Sequence, residues 1–128
     1  MLNGVAPKKS PFAGLAARFH KADLVFANLE VPMTATGSPT RRKTPAELKA
    51  RTQFVLRANP AHVRWLRPTG ITAVSLGNNH ALDYGPAALA SELAALDKAG
   101  IKHTGAGADK IAASSVTVMT LSSGLKDG

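Results

Sequence analysis

The sequence predicts an α/β protein built from βαβ units around a parallel sheet. Three observations carry that prediction. Ile71, Ala73, Val74 and Leu76 form a short apolar run of strand length. Leu89, Leu93 and Leu96 then follow at spacings of four and three, which places them on one face of a helix. Ile101 to Thr104 starts a second strand directly after Gly100, a residue suited to closing the helix. Between the first strand and the helix lie Gly77-Asn78-Asn79-His80, which favour a tight polar turn. Asp83 comes just before Gly85-Pro86, and proline is well tolerated in a first helical turn. In open α/β sheets ligands bind beyond the carboxyl ends of the strands. Asn79 and His80 stand at that end.

The chain divides into residues 1 to 11, read as a flexible lead-in with two prolines, and residues 12 to 128, read as part of one domain. Phe12, Leu15, Ala16 and Phe19 share a helical face, with His20 turned to solvent. Asp23 to Leu29 predicts a strand, and its continuous run Leu24 to Ala27 is the pattern of a strand covered on both faces. Alternation places Asn28 and Glu30 on one side of its end. An amide and a carboxylate there can hold a hard cation through oxygen. Met33 to Thr44 is rich in turn formers and charge, an excursion loop, and Pro45 to Leu48 begins a short helix. Asn59-Pro60 opens a further helix that buries Val63 and Leu66, leaves His62 at the surface and stops at Pro68-Thr69-Gly70. Ser115 to Ser122 alternates and predicts a last strand. There are no internal repeats.

Of the 128 residues 45% are apolar, enough for a core. The absence of cysteine excludes disulfides and thiolate metal sites. No apolar run reaches the length of a membrane span, and the first residues lack the apolar centre of a secretory signal. The expectation is a soluble chain that does not target itself. The net charge is +8, and residues 41 to 67 hold +7 of it: eight basic residues against Glu47. Arg41, Arg42 and Lys43 are the candidates for binding a polyanion; a solvated basic face accounts for the same residues equally well.

Two separated stretches carry a family resemblance. GNNHALDYG, followed by a helix and GIKHTGAGAD, and upstream DLVFANLEVP, together resemble the CapA-type proteins of poly-gamma-glutamate capsule synthesis. That family is related to the calcineurin-like metallophosphoesterases, an α/β sandwich with a two-metal site on loops at strand ends. The resemblance implies a metal-binding Asn79 and a proton-donating His80, with Asn28 and Glu30 as further metal ligands. It implies a divalent cofactor, manganese or magnesium, whose ligand set is incomplete here. The family's opening Gly-Asp strand and its later histidines have no counterpart among these residues, so the chain reads as a partial metallophosphoesterase-like sandwich, incomplete at both ends and inactive alone. Implied partners are an anionic polymer or a phosphoester substrate and a polyglutamate synthase complex. No specific nucleic acid is expected, and the family is often found at the cell envelope. Two functions stay open: a metal-assisted phosphoesterase-like domain in capsule synthesis, and a non-catalytic module that holds an anionic polymer on the basic 41–67 segment.

Overall fold

The apolar runs around Ala27, Val74 and His103 become three short strands: β1 (Phe26–Asn28), β2 (Ala73–Ser75) and β3 (Lys102–Thr104). The structure, a computed structural model, describes residues 10–121. The strands pair in the order β1-β2-β3, and both pairs are parallel. Register sets Phe26 beside Ala73 and Lys102, then Ala27 beside Val74 and His103, then Asn28 beside Ser75 and Thr104. All three strands therefore end at one edge. Parallel pairing requires crossovers, and helices supply them.

Among the described residues five α-helices form: α1 (Ala16–Phe19), α2 (Pro45–Lys49), α3 (Leu66–Thr69), α4 (Pro86–Lys98) and α5 (Lys110–Ala113). Local chemistry fixes their ends. Thr44 and Glu47 form a reciprocal capping box at α2, with Pro45 in the first turn. Asn59 accepts from the Ala61 amide ahead of a 3-10 segment, Pro60–Trp65, that runs into α3. Gly70 ends α3 in the left-handed region at φ 99°. An added Cβ there would come within 2.9 Å of the Phe19 Cβ, so this cap also seats α1 against α3.

The core lies on one side of the sheet. Val74, Leu76, Leu96, Ile101, Val63, Leu66 and Met33 are buried together, with Ala27 and Leu93 packed against them. Burying such a side chain contributes about 1.5–3 kcal/mol. Leu89 and Leu96 confirm the predicted buried face of α4, and the βαβ unit from Ile71 to Thr104 forms as predicted.

Three expectations are corrected. β1 is not covered on both faces among the described residues: Leu24 and Phe26 remain 42% and 56% exposed. No strand forms over 115–121; Val116 and Val118 are exposed, and Ser122 lies outside the described residues. His62 is buried and stacks on Trp65 at 4.2 Å. The 3-10 geometry, with three residues per turn, carries position 62 off the surface that an α-helical count assigns to it. Burial, and then the charge of Arg64, hold the His62 imidazole below the ordinary histidine value. The predicted lead-in lies outside the described residues for all but Ser10 and Pro11.

Candidate functional site

The loops after β1 and β2 meet at the carboxyl edge of the sheet. Their link is the side chain of Asn78. Its Nδ2 donates to Asn28 Oδ1 and to the Leu29 carbonyl, each at 3.1 Å. Its Oδ1 accepts from the His80 amide at 3.0 Å. One amide thus fixes the entry to both loops and the backbone of His80. Asn79, the neighbour singled out in the sequence, is exposed. Nothing in two adjacent asparagines signals which of them turns inward.

His80 is 6% exposed, and its ring is held through Nδ1. Asp83 Oδ2 lies 2.8 Å from that nitrogen, and Asp83 itself is 1% exposed. The Leu56 amide donates to the same Oδ2 at 2.6 Å. Lys43 Nζ donates to Asp83 Oδ1 at 2.5 Å and to the Phe54 carbonyl at 2.7 Å, and stands 3.1 Å from His80 Nδ1. Nδ1 lies between a carboxylate oxygen, which accepts, and an ammonium, which donates, so both contacts hold the ring at this nitrogen. Nε2 is the ring nitrogen left open. It faces Glu30 Oε1 at 3.8 Å, and the Glu30 side chain is 54% exposed.

The excursion between β1 and the 3-10 segment supplies half of this arrangement. The Thr40 amide donates to the Asp83 carbonyl at 2.7 Å, which lays the loop beside the β2–α4 connection. Lys43 therefore points inward with its side chain 10% exposed, whereas Arg41 and Arg42 are exposed. Sequence reasoning assigned no site role to Asp83 and grouped Lys43 with its basic neighbours. The available signal was Asp83 itself, an acid three residues after His80 in an otherwise apolar ALDYG stretch.

On the far side of Asn78 and Asn79 opens a cleft of about 1100 Å³. Leu76, Leu82, Leu89 and Leu93 form its apolar wall, and Arg42 and Lys110 bring positive charge to it. Gly77 and Gly105 also line it. Among the described residues no three His, Cys, Asp or Glu side chains gather as a metal group. Asn28 Oδ1 is already engaged by Asn78, which leaves Glu30, Asn79 and Nε2 of His80 as donors at this edge. These described residues do not by themselves compose a two-metal shell, which needs ligands from more strand ends.

A parallel α/β sheet with a histidine anchored at its carboxyl edge defines a class: an α/β domain with a polar site at its strand ends. The chain belongs to the family described as bacterial capsule synthesis protein PGA_cap, whose sequence model matches residues 3–126. It is also similar to two probable polyglutamine synthesis accessory proteins of Mycobacterium tuberculosis, from strains CDC 1551 / Oshkosh and ATCC 25618 / H37Rv. Identity to each is 35% over 99 residues, covering 77% of this chain and 24% of the relative. The chain thus spans about a quarter of the length of the relatives it matches.

Proposed function

We propose that the chain is the phosphoester-handling part of a capsule-synthesis protein, with His80 as proton donor to a departing oxygen. The observation that supports this reading is the fixed imidazole: Nδ1 held by Asp83 at 2.8 Å, and Nε2 directed toward exposed Glu30 at the carboxyl edge. A ring anchored through Nδ1 exchanges protons through Nε2 alone. When the phosphorus–oxygen bond of an ester breaks, the leaving alkoxide takes the Nε2 proton, water supplies the hydroxyl that joins phosphorus, and the proton this water loses returns through solvent to Nε2. Glu30 Oε1 stands 3.8 Å from that nitrogen. The exposed Asn79 amide is the group to orient a phosphoryl oxygen. Manganese or magnesium, if bound beside Glu30 and Asn79, would supply further charge to that oxygen. The relatives are named for an accessory role in polyglutamine synthesis, and that polymer is the product this reading takes for the whole protein.

The test is phosphodiester hydrolysis with and without manganese, on this chain and on a version of the length of its relatives. His80→Asn keeps a donor near the Nδ1 position and removes Nε2. Turnover should fall by about 10²–10⁴-fold, with melting little changed. Unchanged turnover in His80→Asn removes His80 from the chemistry.

A second reading is a non-catalytic polyanion-binding module. Exposed Arg41 and Arg42 favour it, with Arg42 and Lys110 both lining the cleft.

A further inference from the structure

The large cleft beyond Asn78 and Asn79 has no part in the chemistry assigned to His80, and His80 is not among the residues that line it. Its wall is aliphatic. Leu82, Pro86, Ala87, Ala90 and Leu93 reach it from the β2–α4 connection and from α4. Pro86 to Leu93 covers about 10 Å of helix. Among the described residues no aromatic side chain lines the cleft, so a base or a sugar finds no ring to stack on. Two of its polar side chains are already engaged. Asn78 is bonded to Asn28, Leu29 and His80, and Asp109 Oδ1 accepts from the Ala112 amide. The side chains of Arg42, Asn79 and Lys110 remain, and neither cation is paired with an acid among the described residues. An aliphatic wall with one amide and two cations suits a ligand with one anionic head and an apolar chain. A sugar or a peptide would leave hydroxyls or amides without side-chain partners along that wall, each at a cost.

We propose that the cleft seats an alkyl arm that stays on phosphorus, so that the substrate class is a phosphodiester with one aliphatic ester. This rests on the reading of His80 as proton donor to a departing oxygen. Asn79 lines the cleft and directly precedes His80 in the chain. A phosphoryl group at Asn79 therefore stands where the apolar wall begins. Nε2 lies outside the cleft, so the arm that leaves and the arm that is held are different arms. The first departs as an alcohol with the Nε2 proton. Water supplies the hydroxyl that joins phosphorus. The alkyl phosphate is left with its chain on α4 and its charge met by Arg42 and Lys110.

That retained product is the probe. Butyl, hexyl and octyl phosphate, kept below micelle-forming concentrations, are titrated calorimetrically into this chain and into the version of the length of its relatives. Each added methylene should tighten binding about twofold to fourfold. Octyltrimethylammonium, with the same chain and a cationic head, should bind at least about tenfold more weakly than octyl phosphate. Ala90 is exposed and glutamate is a good helix former, so Ala90→Glu charges the wall without entering the core. It should flatten the dependence on chain length. Arg42→Gln with Lys110→Gln should weaken all three phosphates alike and leave the dependence on length intact. Affinity independent of chain length overturns the proposal, as does indifference to the head group or to the double glutamine variant. So does a length dependence that survives Ala90→Glu unchanged. Binding by this chain that the longer version lacks also overturns it, since the cleft is then a packing surface for the rest of the protein. None of these titrations needs turnover. Octyl phosphate held by a protein that hydrolyses no diester sinks the role of His80 alone, and hydrolysis indifferent to alkyl length sinks the cleft alone.

Discussion

At Glu92 a carboxylate is buried to 1% exposure, with Oε1 on the Met33 amide at 2.7 Å and Oε2 without a hydrogen-bond partner among the described residues. Burial pushes its carboxyl up from 4.5 to about 7, and the Met33 bond only partly opposes this. Below the unfolded value both states are protonated. As pH rises from 4.5 to about 7 the unfolded chain ionises while the folded chain keeps its proton, so stability falls through that window and then levels off. At about 1.4 kcal/mol per unit, the loss is on the order of 3 kcal/mol. Glu92→Gln keeps the acceptor for Met33 and removes the ionisation. Urea unfolding at pH 5 and at pH 8 should show a large difference for the wild type and a much smaller one for Glu92→Gln. Equal slopes in both proteins would assign the pH dependence elsewhere. The sequence reading passed over Glu92, although its place, three residues after Leu89 and four before Leu96, sets it on the apolar stripe. The inward turns of Asn78 and Lys43 were not legible there. They depend on contacts 50 and 40 residues away, Asn78 to Asn28 and Lys43 to Asp83, that no local pattern encodes.

The βαβ unit was readable because each of its parts has a strong local signal, from the apolar run at Ile71 to the proline-started helix and its glycine stop. Gly100 takes the left-handed region at φ 68° just past α4, as a helix stop should. The 115–121 stretch shows the limit of alternation. Val116 and Val118 are exposed, Met119 borders a small pocket with Leu24, Phe26 and Ala73, and Thr117 reaches the sheet through a side-chain bond to the His103 carbonyl at 2.8 Å. Period-two spacing alone makes no ladder. Where β3 leaves the sheet, Gly105 sits at φ 82°, and an added Cβ would meet the Gly77 nitrogen at 2.6 Å. Both constraints act against any side chain there. Gly105→Ala should therefore destabilise the protein by more than about 1 kcal/mol and shift the loop that carries Asn78. Amide exchange at Gly77 and Asn78, together with a urea midpoint, measures this. A variant as stable as the wild type would mean that the two loops do not press together.

Across the whole molecule, the charge of +8 is not one uniform surface. The basic 41–67 segment reads as a single feature in the sequence, yet its side chains do different work. Arg57 lies over the Tyr84 ring at 4.7 Å, Arg67 donates to the Gly100 carbonyl at 3.3 Å, and Lys43 is built into the histidine site. Arg41 and Arg42 are exposed, and Arg42 borders the large cleft. If the chain holds a polyanion, these two arginines should supply attraction without structural penalty. Poly-gamma-glutamate binding should weaken as salt rises, because exposed charges are screened over about 10 Å at 0.1 M. Arg41→Glu with Arg42→Glu should weaken it several-fold at low salt and flatten the salt dependence, with the melting temperature held. Lys43→Glu should behave differently. It sets a second carboxylate against buried Asp83, so it should cost several kcal/mol of stability before any binding is measured. Calorimetric titration of the three proteins with polyglutamate, beside their melting curves, separates the two roles. Binding untouched by the double arginine reversal would remove the basic segment from polymer recognition and leave the histidine edge as the functional surface.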